Sequence, residues 1–106
     1  MKVYTFLTDG FETVEALAVI DILRRAGIEV ETVSITGNEQ VCSAQNITVK
    51  ADTLFKAQPV CKEDVLFLPG GPGHKQYNEC KPLLKLLEKH HAEGGRIAAI
   101  LSLIHI

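Results

Sequence analysis

Short apolar runs and longer helical stripes alternate along this chain, punctuated by glycine and proline. Residues 2–7 form a β-rich apolar run, residues 11–26 have the length and composition of a helix, Gly27 stops it, and residues 28–35 form a second strand. That is a βαβ unit. Thr36, Gly37, Asn38 and Glu39 carry turn chemistry, and Val41 and Cys42 with residues 47–50 predict a short hairpin around residues 43–46. Residues 51–57 are expected as a short helix before Pro59. Residues 65–68 are a continuous apolar run closed by Pro69, Gly70, Gly71, Pro72 and Gly73, which suits a strand covered on both faces. Residues 82–91 predict a helix whose buried stripe is Leu83, Leu84, Leu86 and Leu87. Gly94 and Gly95 separate it from a last, buried-looking strand at 96–100.

Strands alternating with helices imply an α/β fold: a doubly wound, mostly parallel sheet with right-handed crossovers. In such sheets sites form beyond the carboxyl ends of the strands, near the point where the strand order switches. Three loops are expected to meet there: residues 8–12, residues 69–74, and the turn that should follow Ile100.

At 106 residues, 46% hydrophobic and 23% charged, the chain is sized for one globular domain. A net charge of −2 without Lys or Arg runs gives no footprint for nucleic acid, so a small or neutral partner is expected. No stretch reaches the roughly 18 apolar residues of a membrane span, and Met1-Lys2-Val3 opens into a strand, so a cytoplasmic protein is expected. Cys42, Cys61 and Cys80 are odd in number and lack C-x-x-C spacing, which favours reduced thiols over a disulfide framework or a zinc site.

Projected at about 100° per residue, the first helix gathers Asp21, Arg24 and Arg25 on a polar edge and Ala18, Val19, Ile22, Leu23 and Ala26 on an apolar face. Glu15 falls within the apolar set. A structural role near the helix start is worth about 0.3–1 kcal/mol through the macrodipole. Glu12 fills that role better, with Asp9 as N-cap three residues before it in a capping-box-like spacing. The pattern leaves structural and functional readings of Glu15 both open. A carboxyl that loses its water favours the protonated acid, able to donate a hydrogen bond or shuttle a proton beside a thiolate or oxyanion.

The glycine loop after residue 68 allows positive φ and close backbone approach, and can aim amide N–H groups into a cleft as an oxyanion hole. A tight turn whose glycines serve geometry alone is the plainer reading. The acids of Thr8-Asp9-Gly10-Phe11-Glu12 would repel phosphate, which speaks against a mononucleotide site, flavin included. A phospho-acceptor receiver domain would need an aspartate where Pro69 stands. His90 and His91 suit a helix C-terminus, and His74, in the glycine loop, is within reach of the cleft, with a solvent-exposed loop residue as the plainer reading.

Gly10-Phe11-Glu12-Thr13-Val14-Glu15, the helix end Asp21-Ile22-Leu23-Arg24-Arg25-Ala26-Gly27-Ile28, Val41-Cys42-Ser43, Leu68-Pro69-Gly70-Gly71 and Arg96-Ile97-Ala98-Ala99-Ile100 stand in an order that resembles the DJ-1/PfpI family, its DJ-1 branch above all. The resemblance covers residues 1–100 and about the first half of the family's domain. It implies a flavodoxin-like fold of the class I glutamine amidotransferase type, usually a homodimer, here truncated. It also implies a reactive cysteine directly after the Ala-Ala-Ile strand, where this chain has Leu101. Glu15 matches the family's protonated site glutamate, which hydrogen-bonds the thiolate. Gly71 matches the loop residue whose amide faces the site. Cys42 matches a second, oxidisable cysteine near the dimer interface, and a small half-buried thiol is the plainer alternative. The histidine from the family's second half has no counterpart. Ser102, flanked by Leu101, Leu103 and Ile104, lacks the small neighbours an elbow nucleophile needs, and His105 is a tail residue.

The activity implied for the intact parent is cysteine-dependent glyoxalase or deglycase chemistry on small aldehydes or dicarbonyls in stress response, with no cofactor or metal. This chain itself is expected to be inactive and poorly soluble or partly molten. The alternatives are a redox-sensing or chaperone-like dimer, and a peptidase-like or amidase-like branch marked by a histidine after the cysteine. Residues 101–106, Leu-Ser-Leu-Ile-His-Ile, also correspond to one reading frame of a common transposase sequencing adaptor and are expected to be non-native.

Overall fold

The computed structural model describes residues 1–56 and 58–100. In chain order the elements are β1 (Lys2–Leu7), α1 (Thr13–Arg25), β2 (Glu29–Ser34), β3 (Gln40–Cys42), β4 (Thr48–Lys50), β5 (Thr53–Leu54), β6 (Val65–Leu68), a 3-10 turn (Pro72–His74), α2 (Lys75–Glu79), α3 (Lys81–Ala92) and β7 (Arg96–Ala99). Five strands form a parallel sheet in the order β5-β2-β1-β6-β7, and β3 and β4 pair antiparallel beside it. The doubly wound α/β architecture and the hairpin are as the sequence pattern implies.

Period-two alternation along β1 builds both layers. Val3 packs with Ile20, Val30 and Phe67 under α1, while Tyr4 and Phe6 pack with Val33, Leu66, Tyr77 and Leu83 under α2 and α3. A third cluster, Leu7, Phe11, Ala16 and Val41, joins the hairpin to the start of α1. β1 is buried from Val3 to Leu7, as its central place in the sheet requires.

Several expectations are corrected. The described residues 51–56 do not form the expected helix, whose last position, residue 57, lies outside the described residues; β5 lies there instead, along the edge of β2. Asp52 explains it: its N–H donates to Thr32 Oγ1 (2.8 Å) and its Oδ2 accepts from Thr32 N (2.9 Å) and from Arg24 Nη2 (2.9 Å). This reciprocal pairing holds the chain extended, whereas so short a helix has little stability of its own.

Helix α1 starts at Thr13 rather than residue 11, and Asp9 is not its cap. Glu12 occupies that position without a side-chain cap bond, and Asp9 Oδ1 accepts from Cys42 N (3.0 Å). The buried face of α1 is Ala16 and Ile20, with Leu17, Val19 and Leu23 half-buried, while Ala18, Ile22 and Ala26 are exposed. Apolar residues surround most of this helix, so the periodicity does not choose which side meets the sheet. Val14, at 70% exposure, and Ile22, at 64%, are left outward as a stripe with Ala18.

His90 stands in the last turn of α3, as expected, but faces the core. It is buried, seven residues after Leu83 on the stripe facing the sheet, and its Nε2–H donates to Asp64 O (2.8 Å). Finally, β7 is not buried. All four of its residues are exposed, because β6 is its only strand neighbour among the described residues.

Candidate functional site

β1 lies between β2 and β6, and its two neighbours are reached by connections on opposite sides, so the switch point falls between β1 and β6. The loops leaving these strands are joined backbone to backbone: Glu12 N donates to Gly70 O (2.8 Å) and Gly73 N to Gly10 O (3.1 Å). The approach is close enough to require glycine. Gly71 has φ of +121°, and a Cβ there would lie 2.5 Å from Gly10 O and 2.7 Å from Glu12 N; at Gly73 it would lie 2.0 Å from Asp9 O. The glycines of this loop thus have a specific geometric cause: the second loop rests on the first.

The hairpin braces the same loops. Gly10 N donates to Cys42 O (2.8 Å), Ala44 N to Phe11 O (2.8 Å), and Phe11 bridges to Ser43. Thr13 Oγ1 lies 2.6 Å from Ser43 Oγ and 2.8 Å from Gln45 Oε1, and Gln45 Nε2 donates to Glu12 Oε2 (3.2 Å). Thr8 Oγ1 hydrogen-bonds Gln76 Oε1 from the opposite side.

Glu15 stands in the first turn of α1, three residues beyond the Glu12–Gly70 bond. Among the described residues its Oε1 is buried and makes no hydrogen bond. A buried acceptor left unpaired costs about 1–3 kcal/mol and calls for an explanation. Of the apolar helix neighbours expected around Glu15, Ala18, Ile22 and Ala26 are exposed and Val19 is half-buried.

The third loop begins at the same end of the sheet, where Ile100 N donates to Leu68 O (3.1 Å). A crevice of about 190 Å³ opens there between Pro69, Gly70, Tyr77, Leu87 and Ile100. Leu101, Ser102 and His105 lie outside the described residues, as does the side chain of His74. Cys42 is half-buried in the hairpin, with Sγ 3.5 Å from Asn46 Oδ1 and 3.6 Å from Ser43 O. Among the described residues no cluster of three or more His, Cys, Asp or Glu could hold a metal ion, and no helix is long and apolar enough to cross a membrane.

Tyr77 is the contributor that the sequence pattern passes over. Its Oη lies 2.8 Å from Phe6 O and 3.3 Å from Pro69 O, tying the carboxyl ends of β1 and β6 together, and burial lifts its hydroxyl well above the ordinary phenol range. The available signal was a lone aromatic residue between the glycine loop and Pro82, where α2 was not expected.

The DJ-1/PfpI family model matches residues 1–102. The chain is 37% identical over 100 residues to Protein DJ-1 homolog B of Arabidopsis thaliana, covering 93% of this chain and 23% of that protein. It is 30% identical over 89 residues to a glutathione-independent glyoxalase of Caenorhabditis elegans, covering 84% of this chain and 47% of that one. The crystal structure of a cysteine-to-alanine mutant of a DJ-1 superfamily protein from Salmonella typhimurium matches with a TM-score of 0.88 at 34% identity, covering 95% of this chain and 55% of that chain. The curated relatives are thus spanned over 23% to 53% of their length.

Proposed function

This chain belongs to the DJ-1/PfpI family, and on that premise we propose that the intact parent is a cytoplasmic, cysteine-dependent glyoxalase or deglycase acting on small reactive aldehydes and dicarbonyls. The observation that carries the reading is Oε1 of Glu15, buried and without a hydrogen bond among the described residues, three residues beyond the bond that ties Glu12 to the glycine loop. A carboxyl in that position is placed to exchange a proton with a group arriving in the cleft.

In the proposed reaction a thiolate, on the residue that follows Ile100 in the parent, adds to the aldehyde carbon of methylglyoxal. The C=O π electrons move to oxygen, giving a hemithioacetal oxyanion steadied by the Gly71 amide. Glu15 then helps carry a proton between the two former carbonyl carbons. The aldehyde carbon is thereby oxidised to a thioester and the ketone reduced to an alcohol, and water releases lactate and restores the thiol. The internal exchange of oxidation levels uses no cofactor.

Leu101 occupies the expected thiol position in the chain as written, so the 106-residue polypeptide should form no lactate from methylglyoxal. The intact parent should form it, and should lose most of that rate with Glu15→Gln. Lactate formation by this chain, or an undiminished rate in the Glu15→Gln parent, would refute the assignment.

A redox-sensing or chaperone-like homodimer is the second reading. It is favoured by the outward apolar stripe of Val14, Ala18 and Ile22 and by Cys42, whose backbone is held against loop 8–12. Peroxide treatment of the parent, followed by mass spectrometry of Cys42 and of the nucleophilic thiol, separates the two: an oxidised dimer without turnover supports the sensor.

A further inference from the structure

We propose that the groove between α3 and the segment after β5 binds a small amphiphilic anion, an alkyl or aryl carboxylate with its tail on an apolar floor and its head among lysines. The groove has a volume of about 560 Å³, within the roughly 300–1,000 Å³ of small-ligand sites. Phe55, Pro82 and Leu86 make the floor; Lys56, Lys85 and Lys89 make the rim; no carboxylate among the described residues lines it. None of its lining residues belongs to loops 8–12 or 69–74, so the inference is independent of the reaction proposed above.

Three features point to this ligand. The chain carries a net charge of −2, so three cations around one groove are a local segregation and not a general excess. The ammonium groups are uncommitted: the ion pairs among the described residues are made by Lys2, Arg24 and Arg25. Lys85 and Lys89 lie one turn apart on the same side of α3, about 6 Å along the axis, where like charges repel and a bound anion relieves them.

The floor is built rather than incidental. Phe55 packs edge-on against buried Phe6, with ring centroids 6.0 Å apart, and its N–H donates to Ser34 O (2.8 Å). Gln58 Nε2 donates to Leu54 O (3.0 Å), which braces the segment carrying Lys56. A concave apolar floor suits a single alkyl or aryl tail, whereas a bilayer surface requires a flat or convex face. Cations at the rim exclude amphiphilic amines and leave neutral alcohols without a partner for the head.

The test uses the intact parent with sodium decanoate held below its micellar concentration, followed by calorimetry and by amide shifts in an isotope-labelled sample. Saturable one-to-one binding is expected, with shifts concentrated at Phe55, Lys85, Leu86 and Lys89. The double variant Lys85→Glu/Lys89→Glu should weaken it by roughly tenfold or more, since each exposed ion pair contributes up to about fivefold. Lys85→Gln/Lys89→Gln should fall between, and Lys62→Glu, outside the groove, should leave it unchanged. Circular dichroism verifies that each variant is folded, and the glutamine pair carries the test if the glutamate pair is not. Equal binding of decyltrimethylammonium or decanol, affinity insensitive to both lysine pairs, or binding only to anionic vesicles or to polyglutamate would each overturn the proposal.

Discussion

Replacing Gly71 with alanine places one methyl group at the closest approach of the two loops that frame the site. The added Cβ would lie 2.5 Å from Gly10 O, 2.7 Å from Glu12 N and 3.0 Å from Phe11 C, all backbone atoms that cannot rotate aside. Relief requires the loops to part, which loosens the Glu12 N–Gly70 O and Gly73 N–Gly10 O bonds, each worth about 0.5–1.5 kcal/mol. Alanine at a φ of +121° adds about 1–3 kcal/mol of backbone strain. The sum is about 2–6 kcal/mol, a large share of the roughly 5–15 kcal/mol expected for a domain of this size. It corresponds to a fall in Tm of at least about 10 °C. Gly37→Ala provides the control, because Gly37 has φ of +87° with nothing within 4 Å of its Cβ position, so that variant reports strain alone. Urea and thermal unfolding followed by circular dichroism measure both. If Gly71→Ala unfolds no more easily than Gly37→Ala, the loop-on-loop contact does not organise the site as described.

Two further outcomes follow from buried polar groups. Burial raises the hydroxyls of both Tyr4 and Tyr77, the only tyrosines of the chain. The folded state therefore keeps protons that the unfolded chain releases, so this stability is present below about pH 10 and falls as pH rises, by up to about 1.4 kcal/mol per pH unit for each tyrosine. Tyrosinate absorbance should appear only as helical ellipticity is lost, and Tyr77→Phe should reduce the slope; tyrosinate forming near pH 10 in an intact fold would contradict the burial. Asp64 is buried and accepts from Lys2 N (2.9 Å) and Cys61 N (2.8 Å), fixing the start of β1 to the turn before β6. Asp64→Ala should cost about 3 kcal/mol, as expected for two hydrogen bonds to a charged group, by urea midpoint; a loss no larger than that of exposed Glu63→Ala would refute the link.

The alternation of strands and helices was legible because β1, β2, β6 and β7 each hold a short β-rich segment set between turns and helical stretches, and only β6 is a continuous apolar run. What escaped was decided by side chains reaching across sequence. β5 forms because Asp52 pairs with Thr32, twenty residues away, and no pattern within residues 51–57 records that. The Asp9 cap failed for the same reason, since Cys42 N takes its carboxylate. His90, by contrast, was readable: it continues the stripe of Leu83, Leu86 and Leu87, and its identity as histidine masked a core position that Asp64 O stabilises.

Glu15 shows how a sequence expectation can survive while its stated cause does not. The helical projection placed it among apolar residues, and three of those residues face outward. Its Oε1 is nonetheless buried, in the first turn of α1, three residues after the Glu12 N–Gly70 O bond that joins loops 8–12 and 69–74. Thr13 and Glu12, on either side of that turn's start, are both satisfied through Ser43 and Gln45. The same shell could have supplied a partner for Glu15 and does not. A structural carboxylate at a helix start would gain most by turning to water or to a free N–H. One whose Oε1 is buried and unpaired among the described residues gains when a hydrogen-bond partner enters the cleft, and that asymmetry is the reason to test Glu15→Gln before any other site residue.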